Sequence, residues 1–301
     1  MDKIIVIVGP TGIGKTSLSV QLAKRLNGAV ISGDSMQVYK KMDIGTAKVT
    51  EEEKQGIPHY LVDIQNYDEP YNVKIFQEKC RQAEREIVAQ GKVPILCGGT
   101  GLYIKAALYD YTFEEEEIDE AYQKELEALD EKTLYDRLVK VDPRSAEKIH
   151  PHNRKRILRA LQIAHTGMSK SEREQHQQHR MLFDAFLLGL DVDREVLYDR
   201  IDRRVEAMFD QGLVQEATAL FSEPATWKYN SFQAIGYKEF QPYFEGTADL
   251  DEVKEAIKVH SRQYAKRQYT WFRHQMDVRW YETGDPQIEK DIKAWLYERE
   301  G

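Results

Sequence analysis

Short, nearly unbroken apolar runs separated by helical patterns mark the first hundred residues. The runs are Ile4–Val8, Ala29–Ser32 and Val93–Cys97, and Gly or Asp follows each one. Between the first two, Leu18, Leu22 and Leu26 recur every four residues and predict an amphipathic helix over Thr16–Leu26. This alternation predicts an α/β fold with a parallel sheet flanked by helices. After about Tyr109 the pattern changes. Glu114-Glu115-Glu116-Glu117 opens a polar, helix-favouring stretch, which predicts an inserted all-helical domain over 112–180. The four glutamates read as a solvated helix start or loop, not as a metal site. Phe186-Leu187-Leu188-Gly189-Leu190 returns to strand character. A helix over Arg194–Phe209 follows, carrying Leu197, Ile201, Val205, Met208 and Phe209 on one face, with Gly212 as its cap. The parallel-sheet core is therefore expected in 1–111 and 181–301.

Composition narrows the class. With 41% hydrophobic and 10% aromatic residues in a 301-residue chain, there is enough apolar material for a real core, and 31% charged residues suffice to cover a surface. Cys80 and Cys97 form no C-x-x-C pair and have no spaced histidines beside them, so neither a disulfide framework nor structural zinc is expected. A reducing cytoplasm fits best. The apolar run at the N-terminus is too short for a secretory segment, no later run is long enough for a membrane span, and no obligate protein partner is evident. A net charge of −8 excludes a protein that coats nucleic acid non-specifically, so any nucleic-acid site must be local.

The strongest motif is Gly9-Pro10-Thr11-Gly12-Ile13-Gly14-Lys15-Thr16, which matches G-x-x-x-x-G-K-[ST] between a strand and a helix. Its glycines let backbone N–H groups close around phosphate oxygens, Lys15 adds positive potential, and Thr16 is positioned to hold Mg²⁺. The loop names a di- or triphosphate and leaves the reaction open; ATP is the default guess from the motif alone. The other strands shift that guess. Val93–Cys97 ends in Gly98-Gly99-Thr100-Gly101 without an acid, whereas Ala29–Ser32 leads into Gly33-Asp34-Ser35-Met36-Gln37. Asp191, after Phe186–Leu190, keeps an NTPase reading open.

Ligands of parallel sheets sit beyond the carboxyl ends of the strands, so Asp34 and Thr100 are expected to face the phosphate loop. Asp34 suits the abstraction of a proton from an attacking amine, and Thr100 a neutral hydrogen bond to an acceptor. An Asx turn accounts for Asp34 equally well, and a turn residue among glycines accounts for Thr100 better.

Across these blocks the chain resembles the bacterial tRNA dimethylallyltransferases. The resemblance runs through Gly9–Thr16, Ser32–Tyr39, Asp43–Lys48, Gly56–Asp63, Gly98–Tyr103, Asp142–Arg144, Ile149–Pro151, Arg156–Leu161, Ala234–Glu239, Gln263–Gln268 and Thr270–Arg273. It implies that the loop, Gly9 to Thr16, binds the diphosphate of dimethylallyl diphosphate, so that a motif suggesting ATP would hold a leaving group. It implies as acceptor the N6 of the adenine immediately 3′ of the anticodon, in tRNAs reading codons that begin with U. By the same resemblance Asp34 is the general base, Thr100 contacts the acceptor nucleotide, Lys15 and Mg²⁺ assist the leaving group, and Asp34, Ser35, Met36 and Gln37 touch the flipped adenine.

The RNA side has a local candidate. Asn153 is available to cap a helix on which Lys155, Arg156 and Arg159 share one face while Ile157, Leu158, Leu161 and Ala164 form the other. Composition alone favours an ordinary surface helix; the resemblance implies that Lys155, Arg156, Ile157, Leu158 and Arg159 contact tRNA and that the inserted domain clamps the anticodon stem-loop. Relatives often carry Gln at the position of Lys155. Lys258 to His274 is a second basic stretch, interleaved with Tyr264, Tyr269, Trp271 and Phe272, most of which are expected in the core. Rival readings are an adenylate isopentenyltransferase, a small-metabolite kinase and a non-catalytic RNA-binding regulator. His59, His150 and His274 take no part in any metal spacing and are expected to be structural.

Overall fold

The computed structural model describes residues 2–113, 119–176, 180–221 and 227–298. Glu114–Glu117 lie outside the described residues. The chain forms two compact units, one of Met1–Tyr109 with Met181–Gly301 and one of Asp110–Arg180.

The larger unit is built on strands β1 (Lys3–Val8), β2 (Gly28–Ser32), β3 (His59–Tyr60), β4 (Val93–Gly98), β5 (Asp184–Asp191) and β6 (Arg279–Glu282), and its helices are α1 (Lys15–Leu26), α2 (Glu51–Lys54), α3 (Val73–Ala89) and α4 (Gly101–Leu108) before the insertion. The strands pair in parallel in the order β3-β2-β4-β1-β5-β6. β1 is buried along almost its whole length, as a strand covered on both faces must be. The chain leaves β1 on one side towards β2 and returns on the other with β5, so the carboxyl end of β1 is a switch point where a cleft opens.

The smaller unit holds α5 (Glu120–Glu127), α6 (Glu131–Val141), α7 (Pro143–Lys148), α8 (Arg154–His165) and α9 (Lys170–His176). Asp119, Asp130, Asp142 and Asn153 each cap the helix that follows by accepting a first-turn N–H. Leu126, Leu134, Leu138, Ile157 and Leu161 form its own core.

The larger unit resumes after the insertion with α10 (Arg194–Asp210), α11 (Leu213–Leu220), α12 (Gln241–Phe244), α13 (Leu250–Gln275) and α14 (Gln287–Tyr297). Leu197, Ile201, Val205 and Met208 are the buried face of α10, and Gly212 ends that helix at φ +102°. Two short strands escape the apolar-run reading. His59–Tyr60 is two residues long, and Arg279–Glu282 begins and ends in exposed charge.

Candidate active site

The phosphate loop leaves β1 with Gly9, Gly12 and Gly14 at φ +146°, +78° and +103°, backbone that a side chain resists. Ile13 between them is fully buried and pins the loop to the core. Gly14 is the N-cap of α1 and offers no side-chain partner to the first-turn N–H groups, so these amides are available to an anion at the mouth of the cleft. Lys15 folds back to donate to the carbonyl of Pro10 at 2.7 Å. Burial pushes its ammonium down to about 8, and Arg204 pushes in the same direction, against the opposing pull of Cys97 and Asp34.

Lys15 and Thr16 line a cleft of about 530 Å³ together with Asp34, Gln37, Arg204 and Gln268. A second cavity of about 340 Å³ shares Thr11, Asp34, Arg204 and Tyr264 with it and has Ile201, Val205, Met208 and Ile257 in its walls. Asp34 therefore lines both the cleft of Lys15 and Thr16 and the neighbouring cavity walled in part by those apolar side chains. Its Oδ1 accepts the N–H of Met36 at 2.8 Å and of Gln37 at 3.2 Å, which is the Asx turn. That turn and a proton-accepting role are compatible, because one carboxylate carries two oxygens.

Thr100 sits in the turn after β4, beside the turn after β2. Its Oγ1 accepts the N–H of Ser35 at 3.3 Å and donates to Ser35 Oγ at 3.4 Å. The Tyr264 hydroxyl bonds Thr100 and Gln268, and burial together with the Asp34 charge raises it to about 12. The Gln37 amide donates to the Ala47 carbonyl at 2.9 Å.

On α8 of the smaller unit, Lys155, Arg156 and Arg159 are exposed, Ile157 is buried and Leu158 half-buried. Asn153 Oδ1 accepts the N–H of Arg156 at 3.3 Å.

The sequence model of the IPP transferase family matches residues 37–275, and that of the isopentenyl transferases matches 2–68. The chain belongs to the IPP transferase family. It is 49% identical over 300 residues to the tRNA dimethylallyltransferase of Bacillus anthracis, covering 98% of this chain and 95% of that one. It is similar to the crystal structure of the Staphylococcus epidermidis tRNA Δ(2)-isopentenylpyrophosphate transferase, with a TM-score of 0.72 and 44% identity over 98% of this chain and 99% of that one. A eukaryotic dimethylallyltransferase acting on tRNA, 33% identical, has a TM-score of 0.84 over 99% of this chain and 80% of its own.

In this IPP transferase, two polar residues of the cleft are given no role by the sequence reading. Gln268 of α13 accepts the N–H of Thr11 at 2.9 Å and donates to the carbonyl of Gly99 at 2.9 Å. Arg204 of α10 donates to Thr11 Oγ1 at 3.2 Å and to the carbonyl of Ala47 at 3.5 Å. Burial lowers the Arg204 pKa against the opposing effect of Asp34. The glycines after β4 serve α13: a Cβ on Gly99 would overlap the Gln268 amide, and one on Gly101 would overlap the Trp271 ring.

Asp191, the position that kept an NTPase reading open, is engaged elsewhere. Its Oδ2 accepts Arg273 at 2.8 Å and its Oδ1 the N–H of Val192 at 3.0 Å. The same Arg273 lies over the rings of Tyr269 and Trp280. The second basic stretch is likewise reduced by pairing. Lys258 meets Glu206 and Glu255, and Arg262 meets Asp202, which leaves Lys266 and Arg267 as its exposed cations not in a salt bridge among the described residues. His59 Nδ1 bonds the Ile57 carbonyl, His274 Nδ1 that of Thr270, and His150 Nδ1 accepts the N–H of His152. No group of three metal-binding side chains occurs among the described residues.

Proposed function

We propose that this chain transfers a dimethylallyl group from dimethylallyl diphosphate to N6 of the adenosine immediately 3′ of the anticodon in tRNAs reading codons that begin with U. The observation that carries the reading is the position of Asp34, whose carboxylate borders both the cleft of Lys15 and Thr16 and the apolar-walled cavity. A prenyl diphosphate has those same two ends, one anionic and one apolar. The tRNA dimethylallyltransferases to which the chain is similar support the donor and the acceptor.

The diphosphate would take the amides of Gly12–Thr16, with Lys15 and Arg204 meeting the charge that grows as the allylic C–O bond breaks. The N6 of the adenine attacks the allylic carbon and gives its proton to Asp34, leaving N6-dimethylallyladenosine and diphosphate. An exocyclic amine delocalised into its ring is a weak nucleophile, so removal of the proton as the new bond forms lowers the barrier. Thr100 and Gln37 are suited to hold the base, which leaves its stack more readily in a single-stranded loop than in a duplex.

The donor set fits Mg²⁺ carried in by its substrate. Thr16 offers one hard oxygen at the loop, and the remaining ligands would be phosphate oxygens and water. Bound there, Mg²⁺ would neutralise charge on the departing diphosphate. The exposed strip Lys155, Arg156 and Arg159 is the segment proposed to meet the anticodon stem-loop. No helix among the described residues is long and apolar enough to cross a membrane, and the proposed site of action is the cytoplasm.

Incubation with radiolabelled dimethylallyl diphosphate, Mg²⁺ and either unmodified tRNA or AMP tests the reading. Label is expected in tRNA, on the adenosine 3′ of the anticodon. Label in AMP instead would make the chain an adenylate isopentenyltransferase, and label in neither would remove the assignment.

A further inference from the structure

Glu216 lies on α11, and its carboxylate gathers the loop that follows the Asp34 turn. Oε2 accepts the N–H of Asp43 at 2.9 Å and of Ile44 at 2.9 Å. Oε1 accepts the N–H of Ile44 at 3.1 Å, that of Gly45 at 3.0 Å and the Tyr237 hydroxyl at 2.6 Å. Three consecutive amides and a phenol on one acceptor-only group fix the backbone they belong to.

The same loop is closed from its other end by Lys48. Its ammonium, with the side chain 5% exposed, donates to the Tyr39 carbonyl at 2.6 Å and to Asp43 and Asp63 at 2.5 Å each. In the two segments that Lys48 joins, Lys41, Ala47, Leu61 and Asp63 all hold positive φ. Residues with a Cβ keep that backbone only where their surroundings impose it. The fit against the next segment is tight as well. A Cβ on Gly45 would lie 2.6 Å from the Tyr237 ring, and one on Gly236 2.6 Å from the Gly45 carbonyl.

What this strained loop presents is the Ala47 carbonyl. It accepts the Gln37 side-chain amide at 2.9 Å and the Arg204 guanidinium at 3.5 Å. Gln37 belongs to the segment assigned to the acceptor, and Arg204 reaches the phosphate loop through Thr11. We infer that Glu216 is a positioning residue: by fixing the 43–48 loop it aims Gln37 at the acceptor and Arg204 at the diphosphate from a single carbonyl, and so couples the two halves of the site. The inference rests on the reading of the cleft as a diphosphate and nucleoside site.

The test is a mutant cycle on binding, which needs no turnover. Affinity for inorganic pyrophosphate with Mg²⁺ is measured by calorimetry for the wild type, Glu216→Gln, Arg204→Ala and the double variant. Glu216→Gln keeps the size of the side chain but turns an N–H₂ towards amides that need an acceptor. It is expected to weaken pyrophosphate binding about tenfold, and to add nothing in the Arg204→Ala background, because its effect passes through Arg204. In a Lys15→Ala background, which removes a separate interaction, the two effects should multiply. If Glu216→Gln does not fold, Glu216→Asp, which withdraws the carboxylate by one methylene, is run through the same cycle. Wild-type affinity in the variant, or effects that multiply with Arg204→Ala, would overturn the coupling and leave the cleft assignment standing. Failure of the wild type to bind pyrophosphate would overturn both.

Discussion

Gln268 accepts the backbone N–H of Thr11 at 2.9 Å while the other end of the same amide donates to Gly99. Only a side chain with both a donor and an acceptor can join the phosphate loop to the end of β4 in this way. Gln268→Glu keeps the shape and loses the donor, leaving the Gly99 carbonyl without its partner and adding negative charge beside the diphosphate cleft. The expected cost is about 1–3 kcal/mol of stability in urea unfolding, with pyrophosphate affinity down at least about tenfold. Wild-type values for both would show that the bridge contributes nothing.

Gly99 and Gly101 are required for closeness and not for backbone conformation. Neither has a positive φ, but a Cβ at either one would overlap α13. Gly99→Ala and Gly101→Ala are each expected to destabilise by about 1–3 kcal/mol, as overpacking does. Urea unfolding followed by circular dichroism measures it, and unchanged midpoints would mean that α13 moves aside freely.

Lys15 gives a pH dependence with a definite sign. Its pKa, about 8, lies below the ordinary 10.5, so its positive charge is complete below about pH 7 and lost as the pH rises through 8. A bound anion favours the charged form, so binding above pH 8 draws in a proton. The affinity advantage of the wild type over Lys15→Met for pyrophosphate should therefore be level below about pH 7 and shrink by up to about tenfold per unit above 8. Comparison with Lys15→Met removes the titration of pyrophosphate itself. A ratio that is flat to pH 10 would contradict the assignment.

Lys155 and Arg156 stand exposed on α8. If they meet RNA phosphates, Lys155→Glu with Arg156→Glu should weaken tRNA binding and reduce the slope of log affinity against log salt by about 0.7 for each phosphate that is no longer neutralised. Pyrophosphate affinity should not change. Filter binding at several salt concentrations reads the first and calorimetry the second; an unchanged salt slope would remove the strip from the interface.

What the sequence made legible was whatever repeats or matches a spacing. The four long strands, the phosphate loop and the α10 face are apolar runs or periodic patterns, and the structure holds them within a residue or two of the expected bounds. β3 and β6 were not legible, one being too short to show a period and the other ending in charge. Arg204 left a signal that an apolar search passes over. It sits three residues after Ile201 and four before Met208, a charge at core spacing, and such a charge has to be satisfied by something in the interior or in a cleft. Gln268 has the same character, four residues before Phe272 on the buried side of α13. Asp191 shows the opposite limit. Its place after a strand kept an NTPase reading open, and only the fold reveals that Arg273, far along the chain on α13, holds it.

The central claim is that Asp34 removes the N6 proton, and Asp34→Asn tests it most directly. An asparagine oxygen still accepts the Met36 and Gln37 amides that Asp34 Oδ1 now takes, so the turn survives, but the side chain no longer takes up a proton. Single-turnover transfer from labelled dimethylallyl diphosphate to an anticodon stem-loop is measured for both forms, with pyrophosphate binding as the check on the site. The predicted result is a rate lower by about 10²–10⁴-fold with pyrophosphate affinity no weaker than that of wild type, since the variant takes a negative charge out of the cleft. A rate near that of the wild type would contradict the assignment of Asp34 as the base.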